Sequence, residues 1–476
     1  MIVLINPPNP PGKVSNKDMM GGLGQLYDKG GAKVPPIDLP YAGACLQEKN
    51  IPLSIIDCLG LDFDADTLLR EIKKITEDKK ATAALRTSLP TYSYDMEIAQ
   101  RIKEETDARI IIFGPYVSLN GQETIEKDFV DIIVFGEPEY TFVDIFSKSL
   151  KETEGIWFKD EKGEIIRNNP RKRIENLNQL PVPSWELMPY KNYILPRPQF
   201  PDESPFLPVL TSRGCPFSCS YCPYPSVQGS KWRKRSAENV VKELEYIVKD
   251  LGINNVLVRD AEFTLNRERV LKICEGIINR RLKFFWRCET RIDTLDENLV
   301  TMMAKAGCCG LNLGIESVSE ESSRRMGRKV ITQKQCREIL NLCRQHNIST
   351  FCFFIIGLPG EGKKEILKTI KFARSIDPPQ VQFTLATPYP GTLLYQWAEE
   401  NNFIEERELN HLTGYTPVMR NEYLDVKRLN RLYNFALKFV AMRSTSKKER
   451  IKNYGFFQGI KEILKEILLW FKKWII

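Results

Sequence analysis

Residues 214–222 read GCPFSCSYC and place Cys215, Cys219 and Cys222 in a C-x₃-C-x₂-C pattern directly after the short apolar run 208–213. Three thiolates on one loop can each ligate one iron of a cubic [4Fe–4S] cluster, because soft sulfur ligands suit iron–sulfur centres. No fourth cysteine completes the local pattern, so one iron would stay open to another ligand. The spacing therefore predicts a three-thiolate cluster with one free iron.

A structural zinc ion is the alternative occupant of this loop. Zinc usually takes four ligands, with its cysteines in paired C-x₂-C spacing. The chain has two histidines, His346 and His411, and both are far from the loop in sequence. The pattern therefore favours the iron–sulfur cluster.

The composition is typical of a soluble globular protein with two or three domains. The 476 residues are 42% hydrophobic and 27% charged. The first residues, MIVLINPP, have no basic segment and are predicted to form a strand, so we expect no signal peptide and a reducing, cytoplasmic location. The last 34 residues hold nine Lys or Arg and three Glu, so most of the net charge of +8 belongs to the tail. No nucleic-acid-binding surface is expected.

Residues 1–150 are predicted to form an open, mostly parallel, doubly wound α/β sheet, a Rossmann-like arrangement. Apolar runs, interpreted as buried strands, alternate with amphipathic stretches, interpreted as helices. The strands are predicted at 2–5, 53–56, 81–85, 110–113 and 132–135. The helices are predicted at 39–47, 66–75, 94–104 and 122–127.

Small, hydroxyl-bearing and acidic residues follow these strands, where ligands of doubly wound sheets bind. Such residues let the backbone approach a large flat ligand and hydrogen-bond to it, although ordinary turns have a similar composition. No GxGxxG sequence occurs here, which disfavours a dinucleotide. The candidate binding residues are Asn6, Pro7, Thr87, Ser88, Thr91, Gly114, Tyr116, Ser118, Gly136, Glu137 and Glu139.

A connector, residues 151–207, and a second α/β domain, residues 208–400, follow. The connector contains one candidate hairpin at 155–166 and is then rich in proline, which predicts an extended linker. In the second domain, strands are predicted at 209–212, 255–258, 284–288, 311–315, 350–356 and 381–386, with helices between them. Six β/α units predict an open partial barrel, with the cysteine loop at the face where α/β barrels hold their chemistry.

The cysteine motif resembles the cluster motif of the radical S-adenosylmethionine (SAM) superfamily, and in particular of its cobalamin-binding branch. Further segments resemble the motifs that end successive barrel strands in that family. These segments are 260–264, 287–291, 314–317, 357–361 and 387–392. In the strand-two segment, 260–264, Ala261 replaces a more usual acid. The resemblance covers roughly residues 1–400.

The resemblance implies radical chemistry at the cluster. The open iron would chelate the amino and carboxylate groups of SAM, and the reduced cluster would release a 5′-deoxyadenosyl radical that takes hydrogen from an unactivated carbon. Glu316 and the turn at Gly357 would hold the ribose and methionyl ends of SAM, whereas a helix-start acid and a plain turn are the alternatives. Further cofactor contacts are implied for Tyr221, Asp260, Arg291, Ser317 and Pro388.

The resemblance also implies a cobalamin-binding role for residues 1–150, with the corrin lined by residues 87–91, 114–118 and 136–139. The Asp-x-His motif that supplies a lower axial histidine in many cobalamin proteins cannot occur here, because the first 345 residues contain no histidine. A bound cobalamin is therefore expected to be base-off without a histidine ligand. A degenerate domain that binds nothing is the alternative.

The leading hypothesis is a methyltransferase that moves a methyl group from methylcobalamin to a substrate carbon. The alternatives are a radical oxidative cyclase or C–C bond-forming enzyme of the same branch, and a cobalamin sensor or carrier without catalysis. The expected partners are a small-molecule or lipid substrate and an electron donor such as flavodoxin or ferredoxin.

Residues 401–476 are predicted to be helical, ending in an amphipathic helix at 455–476. Its apolar residues are too interrupted by charge to span a bilayer. A basic helix carrying Trp470, Phe471 and Trp474 is typical of a membrane-surface anchor, which would lie on the cytoplasmic membrane face. The alternative is a helix packed on the protein or on a dimer partner. An anchor would favour a lipid or other hydrophobic substrate.

Overall fold

The computed structural model describes residues 1–27, 32–76, 81–195 and 199–441. Seven strands form the first sheet: β1 (Ile2–Asn6), β2 (Leu53–Asp57), β3 (Thr82–Arg86), β4 (Arg109–Phe113), β5 (Ile132–Val134), β6 (Ile156–Lys159) and β7 (Ile165–Arg167). Their spatial order is β2-β1-β3-β4-β5-β6-β7, and β1 to β5 pair in parallel. The β6–β7 hairpin, which falls in the predicted connector, adds two antiparallel strands to this sheet.

Helices cover both faces of the first sheet, as the doubly wound prediction requires. Successive strand residues point to opposite faces, so Ile2 and Leu4 join one core while Val3 and Ile5 join another. The helices are Asp38–Glu48, Cys58–Leu61, Ala65–Thr76, Tyr92–Glu105, Gly121–Glu126 and Glu139–Ser147. Each fully buried leucine or isoleucine of these cores contributes about 1.5–3 kcal/mol.

The second domain is an open barrel of six parallel strands. They are β8 (Phe206–Val209), β9 (Asn255–Val258), β10 (Phe285–Arg291), β11 (Cys308–Glu316), β12 (Ser349–Ile356) and β13 (Gln380–Leu385), and they lie side by side in chain order. The long helices around them are Ala237–Lys249, Arg267–Asn279, Glu297–Lys305, Gln333–Gln345 and Lys363–Ile376. Shorter helices at Tyr224–Gln228, Glu320–Arg325 and Leu393–Glu400 precede the last helix, Val426–Ala441.

The connector is extended but well packed. After β7 its described residues include short 3₁₀ turns at Leu177–Gln179, Trp185–Leu187 and Tyr190–Asn192. Trp185 and Tyr193 are nevertheless fully buried, and the Tyr193 hydroxyl donates a hydrogen bond to Asp57 of the first sheet. The proline content therefore predicts the extended path but not the burial, and the domain boundaries stay a prediction.

A short antiparallel hairpin, Val14–Asn16 with Gln25–Tyr27, leaves the first domain after β1 and has no counterpart among the predicted elements. The Gln25 side chain donates to the Thr413 carbonyl, and Arg259 of the barrel donates to the Asp18 carbonyl at 3.0 Å. This hairpin therefore bridges the two domains.

The predicted amphipathic segment 455–476 lies outside the described residues. Within the described ranges, no helix has the length and apolar character needed to cross a bilayer.

Candidate functional site

The cysteine loop, residues 214–222, is held in place by backbone contacts on both sides. Gly214 has φ +81°, and a Cβ there would stand 2.3 Å from the Lys231 carbonyl oxygen, so glycine is required. The Cys215 amide donates to the Gly229 carbonyl at 3.1 Å, and the Ser220 amide donates to the Met326 carbonyl at 3.1 Å. The loop is thus positioned by its neighbours before any ligand binds.

The three thiols of the loop are unbonded to one another and differ in exposure. Cys215 is buried, whereas Cys219 and Cys222 are partly exposed. Among the described residues, no three or more His, Cys, Asp or Glu side chains are grouped closely enough to hold one metal ion. The compact ligand set of a structural zinc site is therefore missing from this part of the chain. Each cysteine of a cubic cluster binds a different iron, and the assignment of these three thiols to such a cluster stays the prediction made from their spacing.

A partly buried polar group formed by Tyr221, Arg328, Gly314 and Glu316 lies at the loop. Arg328 donates to the Tyr221 hydroxyl and to the Gly314 carbonyl, both at 2.8 Å, and its guanidinium is 3.4 Å from the Glu316 carboxylate. Burial raises the pKa of Glu316, although Arg328 opposes that rise. Two of the predicted SAM contacts, Tyr221 and Glu316, are thus joined by an arginine that the sequence interpretation missed.

Glu316 has a strained backbone. Its φ is +64°, and the pairing of β11 with β12 shifts register between Gly314 and Glu316. A Cβ on Gly314 would stand 2.5 Å from Glu316 Oε1, so any larger residue at position 314 would clash with this carboxylate. Non-glycine residues in this conformation cost about 1–3 kcal/mol and concentrate at functional sites. Glu316 is therefore held in an unusual conformation beside the loop, and its role in ligand binding stays a prediction.

Segments 260–264 and 287–291, which match the motifs of the second and third barrel strands, are hydrogen-bonded to each other next to the cysteine loop. Glu262 accepts hydrogen bonds from the hydroxyls of Thr264 and Thr290 and from the Arg291 amide. The Arg291 side chain pairs with Asp293 at 2.9 Å and lies 4.3 Å from the centre of the Phe217 ring within the cysteine loop. Arg291 therefore contacts the loop directly, as a cofactor-site residue would.

Asp260 has a different role in the structure. It is fully buried, and its carboxylate accepts hydrogen bonds from the Thr211 amide and from the hydroxyls of Thr211 and Ser212. These contacts fix the chain immediately before the cysteine loop. Asp260 therefore positions the loop through Thr211 and Ser212.

The turn after β12 is organised by Glu361. Its carboxylate accepts hydrogen bonds from the amides of Gly357 and Leu358 and from the Ser317 hydroxyl. The strand-four and strand-five motifs therefore share one buried carboxylate. Pro388 is buried in the loop after β13, and its ring makes no polar contact.

Glu361 predicts a pH-dependent stability. Burial raises the pKa of Glu361 to about 7, from an ordinary value of 4.5. The folded protein therefore holds a proton between these two values that the unfolded chain releases, and stability is lost as the pH rises through about 7. Glu361→Gln is uncharged and has the same shape. Between about pH 5 and pH 8, we expect the free energy of unfolding of the wild type to fall more than that of Glu361→Gln, by on the order of 1–3 kcal/mol. Urea unfolding at the two pH values measures this difference, and parallel pH profiles of the two proteins would contradict it.

A cleft separates the carboxyl edge of the first sheet from the barrel entrance. Of the predicted ligand-binding residues, five line it: Gly114, Ser118, Gly136, Glu137 and Glu139. The barrel contributes Arg213, Arg259 and residues of the helix Tyr224–Gln228, which directly follows the cysteine loop. The inserted hairpin loop contributes Gly21 and Gly22. The cleft therefore places the strand ends of one domain opposite Arg213 and Tyr224, which flank the cysteine loop of the other.

Unpaired buried polar atoms test whether this cleft fits cobalamin. Three cleft side chains have a buried nitrogen or oxygen that finds no hydrogen-bond partner among the residues the structure describes: Arg86 Nη1, Glu139 Oε2 and Arg259 Nε. Buried groups of this kind are normally satisfied, so such atoms indicate a missing partner. The amide side chains around a corrin ring carry both donors and acceptors and would satisfy these atoms. The hydrogen-bonding chemistry of the residues present fits the group.

The acidic residues of the cleft also join the two domains. Glu137 accepts from Arg233 at 2.8 Å and from Arg213 at 3.2 Å, and Glu139 accepts from Arg213 at 2.5 Å. Although burial acts to raise the pKa of Glu137, Arg213 and Arg233 hold it below its ordinary value. The carboxylates predicted as ligand contacts therefore fix the cysteine loop to the first sheet through Arg213, the residue that precedes Gly214.

The other predicted strand-end residues do not line the cleft. Thr87 and Thr91 donate their hydroxyls to the buried Asp95, which also pairs with Lys17 of the hairpin at 2.8 Å. Ser88 hydrogen-bonds to Thr91, and Asn6 donates to Asp57. Tyr116 is buried with its ring edge-on to Tyr92, and Pro7 is buried beside Asn6. These residues are therefore engaged in contacts within the first domain.

Several cleft residues were missed because they are distant in sequence from the strand ends. The run Gly21-Gly22-Leu23-Gly24 was the one available signal, since clustered glycines indicate an unusual backbone, and all three glycines have positive φ. Arg86 pairs with Asp38 at 2.7 Å and with Asp18, and no spacing rule connects these three positions.

A doubly wound sheet that meets an open six-stranded parallel barrel at a three-cysteine loop defines the class of the protein: a radical SAM enzyme with an N-terminal cofactor domain. The sequence signature of the Radical SAM superfamily matches residues 209–373. The chain is 32% identical over 445 residues to an uncharacterised methyltransferase of Pyrococcus horikoshii, covering 92% of this chain and 94% of that protein. The chain therefore belongs to the radical SAM superfamily, in the same family as the Pyrococcus protein.

More distant relatives and solved structures agree with this assignment. The anaerobic magnesium-protoporphyrin IX monomethyl ester cyclase of Rubrivivax gelatinosus is 25% identical over 418 residues, covering 84% of this chain and 73% of that protein. The fold is shared with the radical SAM methyltransferase TsrM of Kitasatospora setae, solved with cobalamin and a [4Fe–4S] cluster (TM-score 0.66, 19% identity, 85% and 79% covered). It is also shared with OxsB, solved with aqua-cobalamin and SAM (TM-score 0.70, 17% identity, 98% and 70% covered). The predicted family and fold class are confirmed.

Proposed function

We propose that the chain is a cobalamin-dependent radical SAM methyltransferase that acts on an unactivated carbon. The observation that carries the proposal is the cleft, which sets Gly114 and Gly136 of the sheet opposite Arg213 and Tyr224, the residues on either side of the cysteine loop. Bound there together, the cluster, SAM and cobalamin would supply one-electron chemistry and a transferable methyl group. The protein itself would bind these groups and hold them in the correct relative positions.

The roles of the protein's own residues follow from their contacts. Cys215, Cys219 and Cys222 would hold the cluster, and Arg328 would orient Tyr221 and Glu316 toward the ligand on its open iron. Arg213, paired with Glu137 and Glu139, would keep the loop at a fixed distance from the first sheet. Such rigid placement matters because a misplacement of about 1 Å can cost a hundredfold in rate.

The cobalamin would be base-off without a histidine ligand. Neither of the two histidines lines the cleft: His346 contacts Thr301 on the outside of the barrel, and His411 pairs with Glu406. The ends of β1 and β2 carry Asn6 and Asp57, which are hydrogen-bonded to each other.

The relatives support methyl transfer, and they also keep the main alternative open. The Pyrococcus relative is named a methyltransferase, whereas the Rubrivivax relative is named a cyclase. An oxidative cyclase would use the same cleft and the same cysteine loop, so the nature of the product separates the two. A non-catalytic sensor or carrier would need neither the strained Glu316 nor the Arg328 contacts.

The substrate would be a small molecule, including lipid or other hydrophobic compounds, and a flavodoxin or ferredoxin would supply electrons. A cytoplasmic enzyme in contact with a membrane surface through residues 455–476 is part of the same proposal. Its support is the amphipathic sequence of that segment.

Anaerobic incubation of the reconstituted protein with methyl-labelled SAM and a small-molecule extract of the source cells tests this function. We expect a labelled product that forms together with 5′-deoxyadenosine. A product that forms with 5′-deoxyadenosine but carries no label would show cyclisation instead. A reconstituted protein that makes no 5′-deoxyadenosine would favour the sensor.

A further inference from the structure

The interior of the barrel is hollow on the side formed by β11, β12 and β13. Along β12, exposure alternates strictly: the inward-facing Phe351 and Phe353 are partly exposed, whereas the outward-facing Cys352 and Phe354 are fully buried under the helices. In a filled barrel the inward residues would be buried as well. The barrel therefore encloses space that reaches solvent.

One wall of this space is aromatic. The rings of Phe351 and Phe353 have centroids 4.5 Å apart and planes inclined by 34°. Large apolar side chains left partly exposed inside a protein are typical of small-molecule sites, in which a few polar groups set orientation. The wall therefore suits the apolar body of a ligand.

Two amide side chains flank Phe351 in the same layer of the barrel. The strand register places Asn312 of β11 and Gln380 of β13 directly beside Phe351. The oxygen of each amide already has a partner: Arg287 donates to Asn312 Oδ1 at 2.7 Å, and Gln199 donates to Gln380 Oε1 at 2.8 Å. Each amide therefore turns its NH₂ group away from these partners.

One of these NH₂ groups, that of Gln380, is a buried donor without an acceptor among the described residues. Arg287 beneath this layer is fully buried, and no carboxylate of the described chain lies within ion-pair distance of it. The remaining acid of the layer, Glu289, is paired with Arg259. Arg287 donates to the Gln199 carbonyl and to Asn312 Oδ1, so the floor of the hollow combines a positive charge with the NH₂ groups of Asn312 and Gln380 as donors.

We infer that this hollow binds a molecule with an apolar body along Phe351 and Phe353 and a terminal acceptor oxygen, of a carboxylate or a carboxamide, at Asn312 and Gln380. The inference rests on the proposed function, because this molecule would be the substrate of the radical reaction. The layer of Gly314 and Arg291 lies two residues further along the strands, about 7 Å toward the cysteine loop at about 3.3 Å per residue. The reacting carbon would therefore lie at least that far from the acceptor oxygen.

Three probes that share a twelve-carbon chain test the inference: dodecanoate, dodecanamide and dodecylamine. Their affinities for the reconstituted full-length protein are measured by anaerobic isothermal titration calorimetry, below the concentrations at which they form micelles. We expect dodecanoate or dodecanamide to bind at least about tenfold tighter than dodecylamine, a difference of about 1.4 kcal/mol. The tighter of the two acceptor probes identifies the charge of the natural head group.

Matched variants locate the binding. Asn312→Asp keeps the oxygen that accepts a hydrogen bond from Arg287 but replaces the NH₂ donor by a second oxygen. It is therefore expected to remove the preference for dodecanoate and dodecanamide over dodecylamine. Phe351→Ala is expected to weaken all three probes about tenfold or more. Ile278→Ala, at an exposed position on the helix Arg267–Asn279 that covers the outside of the barrel, is the control and is expected to leave the affinities unchanged.

Equal affinities for the three probes, or a preference that survives Asn312→Asp, would overturn the inference. Affinities that do not respond to Phe351→Ala would also overturn it. Probe binding needs no turnover, so these results stand apart from the labelled-methyl experiment. A protein without methyl transfer but with the expected affinities would contradict only the proposed function.

Discussion

Replacing Cys219 by alanine is expected to remove the cluster and to lower SAM cleavage by more than about a hundredfold, because even the loss of an outer partner of a metal ligand costs 10–100-fold. Cys219 is partly exposed, and its removal leaves the backbone contacts of the loop in place. The fold should therefore survive while the ligand is lost. Iron and sulfide content after anaerobic reconstitution, together with the rate of 5′-deoxyadenosine formation, measures the effect.

Cys336→Ala is the matched control for the loss of a cysteine. Cys336 is buried in the helix Gln333–Gln345, where it acts as a small apolar side chain. This variant is expected to keep its iron and its rate. Full iron and sulfide content in Cys219→Ala would contradict the three-thiolate assignment.

Gly114→Ala is expected to destabilise the protein by at least about 3 kcal/mol and to abolish cobalamin retention. Gly114 has φ +124° and ψ +164°, a conformation that is essentially restricted to glycine, and its Cβ would stand 2.3 Å from the Thr87 carbonyl oxygen. Thr87 cannot move freely, because its amide is bonded to the Phe113 carbonyl and its hydroxyl to Asp95. The clash would therefore displace the strand end that lines the cleft.

Gly136→Ala is the matched control, because it measures the cost of a left-handed backbone conformation without a steric clash. Gly136 lines the same cleft with φ +69°, but a Cβ there would meet no atom within 4 Å. It should cost only about 1–2 kcal/mol for the left-handed conformation and should leave the cleft intact. Thermal unfolding and cobalt content of the two variants measure the contrast. Equal losses in both would show that the close approach of Gly114 to Thr87 is unimportant.

The order of strands and the position of the cysteine loop could be predicted from the sequence because both are local signals. Short apolar runs separated by amphipathic stretches specify the parallel strands, and three cysteines within nine residues specify their own loop. The β6–β7 hairpin was also visible in the sequence, but its attachment to the first sheet depends on pairing with β5, which a linear pattern does not encode.

The composition of the site was less predictable, because it depends on contacts between distant residues. Thr87 and Thr91 follow a strand as cofactor-binding hydroxyls often do, yet their hydroxyls are bonded to Asp95. Arg328 reaches Tyr221 across a sequence separation of 107 residues, and nothing in its neighbourhood distinguishes it from a surface arginine. Charged side chains gain their roles from the finished fold, and the sequence pattern alone cannot assign them.

The central claim is that the cleft between the sheet and the cysteine loop holds a cobalamin. The most direct measurement is the cobalt content and absorption spectrum of the full-length protein, purified anaerobically from cells supplied with hydroxocobalamin. We expect stoichiometric cobalt, the spectrum of a corrinoid without a nitrogen ligand below the ring, and loss of both in Gly114→Ala. A protein that assembles its full complement of iron but retains no cobalt would contradict the account.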